Sequence, residues 1–135
     1  MSARAPYILL VDDDEDAHFI HKRLIKKQLP DAKVVTFTDG RKALRMLLDI
    51  DSETHQDCPT HIWLDLKMPD MDGWSFLDAL AVNAGRLICK PRITIVSSSP
   101  NPDDKKRAKQ ASYPVSNFVE KYMSVDQVDT LLSPN

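Results

Sequence analysis

Short apolar runs alternate along the chain with longer segments in which apolar positions recur every three or four residues. The short runs are rich in Val, Ile and aromatic residues and too short for helices, which is typical of strands. They cover residues 7–11, 33–37, 61–66, 92–97 and 117–121. The longer segments predict helices beginning near residues 17, 43, 77, 102 and 125. This alternation predicts an α/β fold, with parallel strands joined by right-handed crossovers and helices on both faces of the sheet.

The predicted elements fill one domain. A chain of 135 residues is near the commonest domain size. We expect a single domain over residues 1–135, with its core at about 6–132 and no output domain. The helix at 102–111 has only two apolar residues, Ala108 and Ala111, so we expect it to be weakly anchored and the most mobile. We expect the segment 51–60 to be the longest loop.

Composition and charge narrow the functional classes. Apolar residues make up 42% of the chain and charged residues 28%, as in soluble globular proteins. The formal net charge is −2 and no basic run is present, so nucleic acid is not an expected partner. The N-terminal apolar run at 7–11 is too short for a signal sequence or a membrane span; we expect no membrane association and a cytoplasmic location.

The two cysteines, Cys58 and Cys89, lack the spacing of a metal site. In a cytoplasmic protein we expect them to be reduced thiols, and a disulfide between them is the less favoured alternative.

Acidic and hydroxyl residues follow the predicted strands. The run Asp12–Glu15 follows the first strand, Asp65 lies in the third, Ser97–Ser99 end the fourth, and Lys121 ends the fifth. Parallel strands bring their carboxyl ends to one edge of the sheet, where such folds bind ligands. Two carboxylates about 5 Å apart repel by roughly 3 kcal/mol at an effective dielectric constant near 20. A divalent cation would offset this repulsion, and a site with only oxygen ligands favours Mg²⁺ over zinc.

Four segments together carry a family resemblance: LLVDDDED, LDLKMPDMDG, IVSSS and FVEK. In this order and spacing they resemble the receiver domain of two-component response regulators, over essentially the whole chain. The resemblance implies a flavodoxin-like (βα)₅ doubly wound sheet with strand order 2-1-3-4-5. It implies that Asp65 is the phosphoacceptor and that Mg²⁺ is held by Asp12, Asp13, Asp65 and the backbone carbonyl of Lys67. It also implies phosphoryl-contacting or switch roles for Ser97, Ser98, Phe118 and Lys121.

The resemblance implies a stand-alone response regulator rather than an enzyme, apart from its own phosphotransfer and autodephosphorylation. Its phosphoryl donor would be a sensor histidine kinase or a histidine phosphotransfer protein. A downstream protein would bind the 102–132 face, and the chain would be a monomer or a homodimer. The long 51–60 loop and the lack of an effector domain also suit a response regulator that is the partner of a phytochrome-type kinase.

Two alternatives stay open. The first is a receiver-like interaction module that works without phosphorylation, which the intact set of acidic, serine and lysine residues disfavours. The second is a phosphohydrolase with an aspartyl nucleophile. Such enzymes commonly carry a second acid two residues after the nucleophile, where this chain has Lys67, and no cap domain is available.

Departures from the family pattern lead to further expectations. Tyr122 follows Lys121 where the family usually has proline, so we expect either a trans bond with an altered loop or a cis bond. We hypothesise that Lys67 interacts with the phosphoryl group and changes its lifetime. His18 and His21 are expected to be exposed or packing residues rather than phosphodonors. Gly73 is expected to supply a left-handed or tight backbone conformation.

Overall fold

The chain forms a five-stranded parallel sheet with helices on both faces. The computed structural model describes residues 5–98 and 101–133. The strands are β1 Tyr7–Val11, β2 Lys33–Phe37, β3 His61–Leu64, β4 Arg92–Ser97 and β5 Asn117–Glu120. The helices are α1 Glu15–Gln28, α2 Gly40–Asp49, α3 Gly73–Val82, α4 Pro102–Lys109 and α5 Val125–Leu131. The strand order is β2-β1-β3-β4-β5 and every pairing is parallel, which confirms the predicted flavodoxin-like fold.

Alternate side chains of the sheet pack into two separate apolar layers. Leu9, Ile62 and Ile95 pack against α2 and α3 on one face, whereas Leu10 and Trp63 pack on the other face, against α1 and α5. All five residues of β1 are buried, as expected for a strand covered on both faces. The two layers leave the carboxyl ends of the strands free to carry polar residues at one edge of the sheet.

Side-chain caps begin the helices at this edge. Asp14 caps α1 and accepts from the backbone N–H of Asp16, and Asp72 caps α3. Asn101 caps α4 with Pro102 at its first position, and Ser124 caps α5 through a capping box, as is typical of helix N-termini. Each cap satisfies an N–H group that the helix leaves unpaired.

The two cysteines form a disulfide, so the prediction of reduced thiols is wrong. Cys58 and Cys89 have Cα atoms 5.3 Å apart, a separation typical of disulfides. The register of the sheet explains this proximity: His61 pairs with Arg92, and each cysteine lies three residues before its member of that pair. The disulfide therefore joins the loops that lead into β3 and β4.

The loop at 51–60 is partly ordered, because it contains a short 3₁₀ helix, His55–Asp57. Across residues 5–98 and 101–133, no helix has the length and apolar character needed to cross a membrane.

Candidate functional site

Two buried carboxylates lie side by side at the carboxyl edge of the sheet. Val11 pairs with Leu64, so the residues that follow them, Asp12 and Asp65, are neighbours. They are only 6% and 5% exposed, whereas Asp13 is exposed. Asp12, Asp13 and Asp65 each present a carboxylate oxygen, and these oxygens lie within 4.8 Å of one another.

Lys121 brings a cation to the same place. It follows β5, and its backbone N–H donates to the Ser97 carbonyl over 2.8 Å. Its Nζ lies 2.9 Å from Oδ2 of Asp12 and 3.7 Å from Oδ2 of both Asp65 and Asp14. The Lys121 side chain is 7% exposed, so little solvent screens these ion pairs. One ammonium group thus faces three carboxylates.

The electrostatics of the site reflect this excess of negative charge. Burial and the neighbouring charge of Asp12 raise the pKa of Asp65 to about 6, against the opposing effect of Lys121. Burial alone would lower the pKa of Lys121, but its hydrogen bond to Asp12 and the surrounding carboxylates outweigh burial and raise it. Lys121 therefore stays protonated at neutral pH, yet does not fully offset the carboxylates.

The donor set of the cluster suits a hard divalent cation. Its three closely spaced ligand atoms are all carboxylate oxygens, which Mg²⁺ prefers and zinc sites rarely rely on alone. The mutual repulsion of these oxygens would fall when a cation lies between them. The residues present therefore fit Mg²⁺.

The predicted switch residues lie on the two strands nearest Lys121. Ser97 is the last residue of β4, is 3% exposed and pairs with Glu120, directly before Lys121. Ser98 is exposed, and Ser99 falls outside the described residues. Phe118 is half-buried and packs against the apolar layer that contains α2 and α3. Ser97 is therefore placed at the site edge, and the switch roles stay predictions.

The turn after Asp65 is shaped by close packing. The Lys67 N–H lies 3.4 Å from Oδ1 of Asp65, and the Lys67 side chain is exposed. A β-carbon added to Gly73 would lie 2.6 Å from the Asp65 carbonyl oxygen and 2.9 Å from the Leu66 Cα. The expected tight backbone at Gly73 is thus confirmed as a close approach. The expected left-handed conformation lies instead at Asp70, with φ of 67°, since Asp tolerates this region through local hydrogen bonding.

The loop between β5 and α5 carries contacts that the sequence did not reveal. The Lys121–Tyr122 peptide bond is cis, one of the two expected alternatives. The Tyr122 hydroxyl donates to Oδ2 of Asp14 over 3.1 Å, and the Met123 N–H donates to Nε2 of His21 over 3.2 Å. His18 and His21 are buried, so of the two expected alternatives they are packing residues and not exposed ones. Their positions three residues apart on α1 were the only sequence signal for a shared face.

A groove opens beside the acidic cluster. It has a volume of about 470 Å³ and runs from Asp13 along the turn after Asp65 to Trp74 and Asp104. The Arg107 guanidinium lies 4.5 Å from the centre of the Trp74 ring. This contact fastens α4 to the start of α3 in addition to the buried Ala108.

Comparisons with known proteins agree with this architecture. A two-component response regulator from Cytophaga hutchinsonii superposes with a TM-score of 0.82 at 23% identity, covering 96% of this chain and 95% of that one. The phosphorylated cyanobacterial phytochrome response regulator RcpA gives 0.74 at 22% identity, covering 96% and 89%. A CheY-like receiver domain protein from Methanospirillum hungatei gives 0.69 at 20% identity, covering 94% and 90%. No match was found among curated protein sequences.

The comparison with protein-family models gives the more specific result. Residues 8–133 match the model described as "Response regulator receiver domain". The match runs from the second residue of β1 past the end of α5, and it includes the acidic cluster and Lys121. The chain therefore belongs to the response regulator receiver domain family of two-component signal transduction.

Proposed function

We propose that this chain acts as a phosphorylation-dependent response regulator in which Asp65 accepts a phosphoryl group from a histidine donor. Receiver domains in general are signalling modules that interact with histidine kinases or phosphotransfer proteins and with downstream targets. The observation that carries the proposal for this chain is the surroundings of Asp65. Its carboxylate is buried, 3.7 Å from the Lys121 ammonium group and close to the carboxylates of Asp12 and Asp13.

The reaction would use Asp65 as a nucleophile. A carboxylate oxygen forms a bond to phosphorus as the nitrogen–phosphorus bond of the donor phosphohistidine breaks, and the leaving imidazole nitrogen takes a proton. The product is an acyl phosphate. Lys121 stabilises the negative charge on the phosphoryl oxygens, because its ammonium group lies within reach of Asp65 and is poorly screened by solvent.

Asp12, Asp13 and Asp65 would hold Mg²⁺, with the Lys67 backbone carbonyl as a further predicted ligand. The cation would offset the charge of the carboxylates and of the incoming phosphoryl group. Asp12 is itself held in place, since its Oδ1 accepts from the Asp14 N–H and its carbonyl oxygen accepts from His18.

Signalling to a downstream protein would follow from a contact that exists only in the phosphorylated state. The Ser97 hydroxyl would hydrogen-bond a phosphoryl oxygen, and this bond would bias the conformation of β4, β5 and the helices beside them. The burial of the Phe118 ring would change as part of this conformational change. We place the surface for the downstream protein on the 102–132 face. The oligomeric state, the stand-alone arrangement and the phytochrome-type partner stay predictions.

The decisive experiment is incubation with acetyl phosphate and Mg²⁺ followed by intact-mass measurement. The unmodified protein should gain the mass of one phosphoryl group, labile to hydroxylamine, and Asp65→Asn should gain none. Asp70→Asn is the matched control, because Asp70 is an exposed acid of the same turn whose left-handed conformation asparagine also tolerates. Equal labelling of Asp65→Asn and the unmodified protein would overturn the proposal, and no labelling at all would favour the interaction-module alternative.

The role of Lys67 has its own test. We propose that its exposed ammonium group contacts the phosphoryl group and changes the lifetime of the acyl phosphate. The half-life after removal of acetyl phosphate should therefore differ between the unmodified protein and Lys67→Asn, with Lys105→Asn as the control on exposed α4. Equal half-lives would remove this role.

A further inference from the structure

The loop that carries Lys121 is fastened at three points, each to a different part of the molecule. The backbone N–H of Lys121 donates to Ser97 at the end of β4. The hydroxyl of Tyr122 donates to the carboxylate of Asp14, before α1. The N–H of Met123 donates to the imidazole of His21, within α1. The ammonium group that faces Asp12 and Asp65 therefore sits on a backbone whose position depends on α1 as well as on the sheet.

His21 is suited to hold its end of this loop. Its side chain is 3% exposed, and its ring meets Trp63 and Tyr122 edge to face, with centroid distances of 5.8 and 5.9 Å. An N–H donor can bond only to the unprotonated ring nitrogen, so Nε2 is bare and the neutral ring carries its proton on Nδ1. Burial lowers the pKa of His21 to about 4, although the charge of Asp12 opposes this. The ring is therefore a neutral acceptor at physiological pH.

Asp12, which forms an ion pair with Lys121, is also held in place by α1. His18 Nε2 lies 2.6 Å from the Asp12 carbonyl oxygen, which can only accept, so this nitrogen donates. His18 and His21 are three residues apart and point to the same face of the helix. One turn of α1 thus contacts the backbone of Asp12 through His18 and the loop of Lys121 through His21. Helix α1 therefore supports both members of the 2.9 Å Asp12–Lys121 ion pair.

We propose that His21 is a positioning residue for phosphoryl transfer: by accepting from the Met123 N–H, it sets the place of the Lys121 ammonium group relative to Asp12 and Asp65. The inference rests on the proposed function for its catalytic consequence but not for its geometry. Without the acceptor, Met123 would lose the bond of a buried N–H, and the loop would relax toward solvent or toward another acceptor. Lys121 would then be misplaced at the acceptor carboxylate, where small displacements strongly reduce rates.

The first test needs no variant. In ¹⁵N-labelled protein, a hydrogen bond from an amide to a bare imidazole nitrogen gives a scalar coupling between the two nitrogens. We expect this coupling between the Met123 amide and His21 Nε2 near pH 7. Its absence, with both resonances assigned, would overturn the inference whether or not the protein is phosphorylated.

The second test compares His21→Leu with His21→Gln. Leucine fills space but cannot accept a hydrogen bond, whereas the side-chain oxygen of glutamine reaches about as far as Nε2 and can accept from Met123. With acetyl phosphate at saturating Mg²⁺, we expect the maximal labelling rate to fall about tenfold in the leucine variant and to recover in the glutamine variant. His55→Leu replaces an exposed histidine of the 51–60 loop and should label like the unmodified protein.

The outcomes separate the two proposals. If the unmodified protein is not labelled, the proposed function fails, and the nitrogen–nitrogen coupling still decides the inference. If the unmodified protein is labelled and the leucine and glutamine variants have equal rates, the inference fails and the function stands. Should His21→Leu not fold, the glutamine variant alone carries the test. The glutamine variant must then retain the Met123 amide's protection from hydrogen exchange, and rapid exchange in that variant would overturn the inference.

Discussion

The two edges of the same sheet are built in opposite ways. At the carboxyl edge, Asp12 and Asp65 are buried as charged groups beside a single buried lysine. At the amino edge, backbone hydrogen bonds continue past the strands, from Thr60 to Tyr7 and from Arg92 to Thr60, and a disulfide joins the loops before β3 and β4. The carboxyl edge contains buried carboxylates whose mutual repulsion opposes folding. The amino edge is held by backbone hydrogen bonds and a disulfide.

This difference between the two edges separates the part of the fold that carries the candidate site from the part that does not. Buried carboxylates that repel one another lower stability unless cations neutralise them, so the carboxyl edge carries an electrostatic cost that a requirement for stability alone does not explain. The amino edge has no buried carboxylate among the residues that the structure describes at β1, β3 and β4. Variants at the two edges should behave differently, and the following predictions sharpen that contrast.

The largest effect is expected from Lys121→Met. The variant leaves Asp12 and Asp65 buried without their cation, and breaking a buried ion pair in this way typically lowers stability by about 3–5 kcal/mol. Urea unfolding at pH 7 without divalent cations measures the loss, and Lys109→Met on the exposed face of α4 is the control. At pH 5 the loss should shrink, since Asp65, whose pKa is raised to about 6, is then largely protonated. A loss of stability equal to that of Lys109→Met would show that Lys121 does not offset the buried charge of Asp12 and Asp65.

A second prediction concerns the amino edge. Replacing Cys58 and Cys89 together by serine opens a loop of 31 residues, which should lower stability by roughly 3.5 kcal/mol in the chain-entropy model. Reductant should lower the stability of the unmodified protein by a similar amount and leave the serine variant unchanged. Phosphoryl uptake by the folded variant should be unaffected, because the disulfide lies at the opposite edge from Asp65. A loss of uptake without unfolding would show that the two edges are coupled.

A third prediction is a pH dependence that originates at His21. Its pKa is about 4 in the folded protein and 6.5 ordinarily, so between these values the unfolded chain binds a proton that the folded chain does not. Stability should therefore fall as the pH is lowered through this window, by about 3 kcal/mol in total. Asp65 acts with the opposite sign, because its raised pKa makes the folded chain bind the extra proton.

The difference between the unmodified protein and His21→Gln isolates this contribution. Urea unfolding of both proteins from pH 7 to pH 4 should show that the glutamine variant loses less stability on acidification. The effect of Asp65 is common to both proteins and cancels. Parallel stability curves would mean that the histidine is not held neutral by burial.

The smallest effect is expected at α4. Arg107→Ala removes the contact of a largely exposed guanidinium with Trp74, which should lower stability by only about 0.5–1 kcal/mol. Hydrogen exchange of the α4 amides should nevertheless become faster relative to Arg86→Ala, an exposed arginine after α3. Unchanged exchange would show that the Arg107–Trp74 contact does not anchor the helix.

The α/β class and the acidic cluster could be predicted from the sequence because both follow from periodicity, whereas the strand order was implied by the family resemblance. Apolar runs and helical spacings gave the strand and helix order, and the acids after β1 and β3 had to meet at the edge that parallel strands share. The disulfide was missed because the expectation for the cysteines came from the assumed compartment, whereas their proximity follows from the pairing of His61 with Arg92, which no sequence pattern specifies. The roles of His21 and Tyr122 depend on side-chain conformations and on which backbone N–H lies nearby, and periodicity carries no such information.

Gly73 shows how little space lies between α3 and the backbone of Asp65. Its α-carbon lies so near the peptide of Asp65 and Leu66 that even a methyl group there would overlap their backbone. The start of α3 thus limits how far the Asp65 peptide can move toward it. A substitution at Gly73 that leaves every charge in place would still displace this peptide relative to Lys121, and with it the proposed site of phosphoryl transfer.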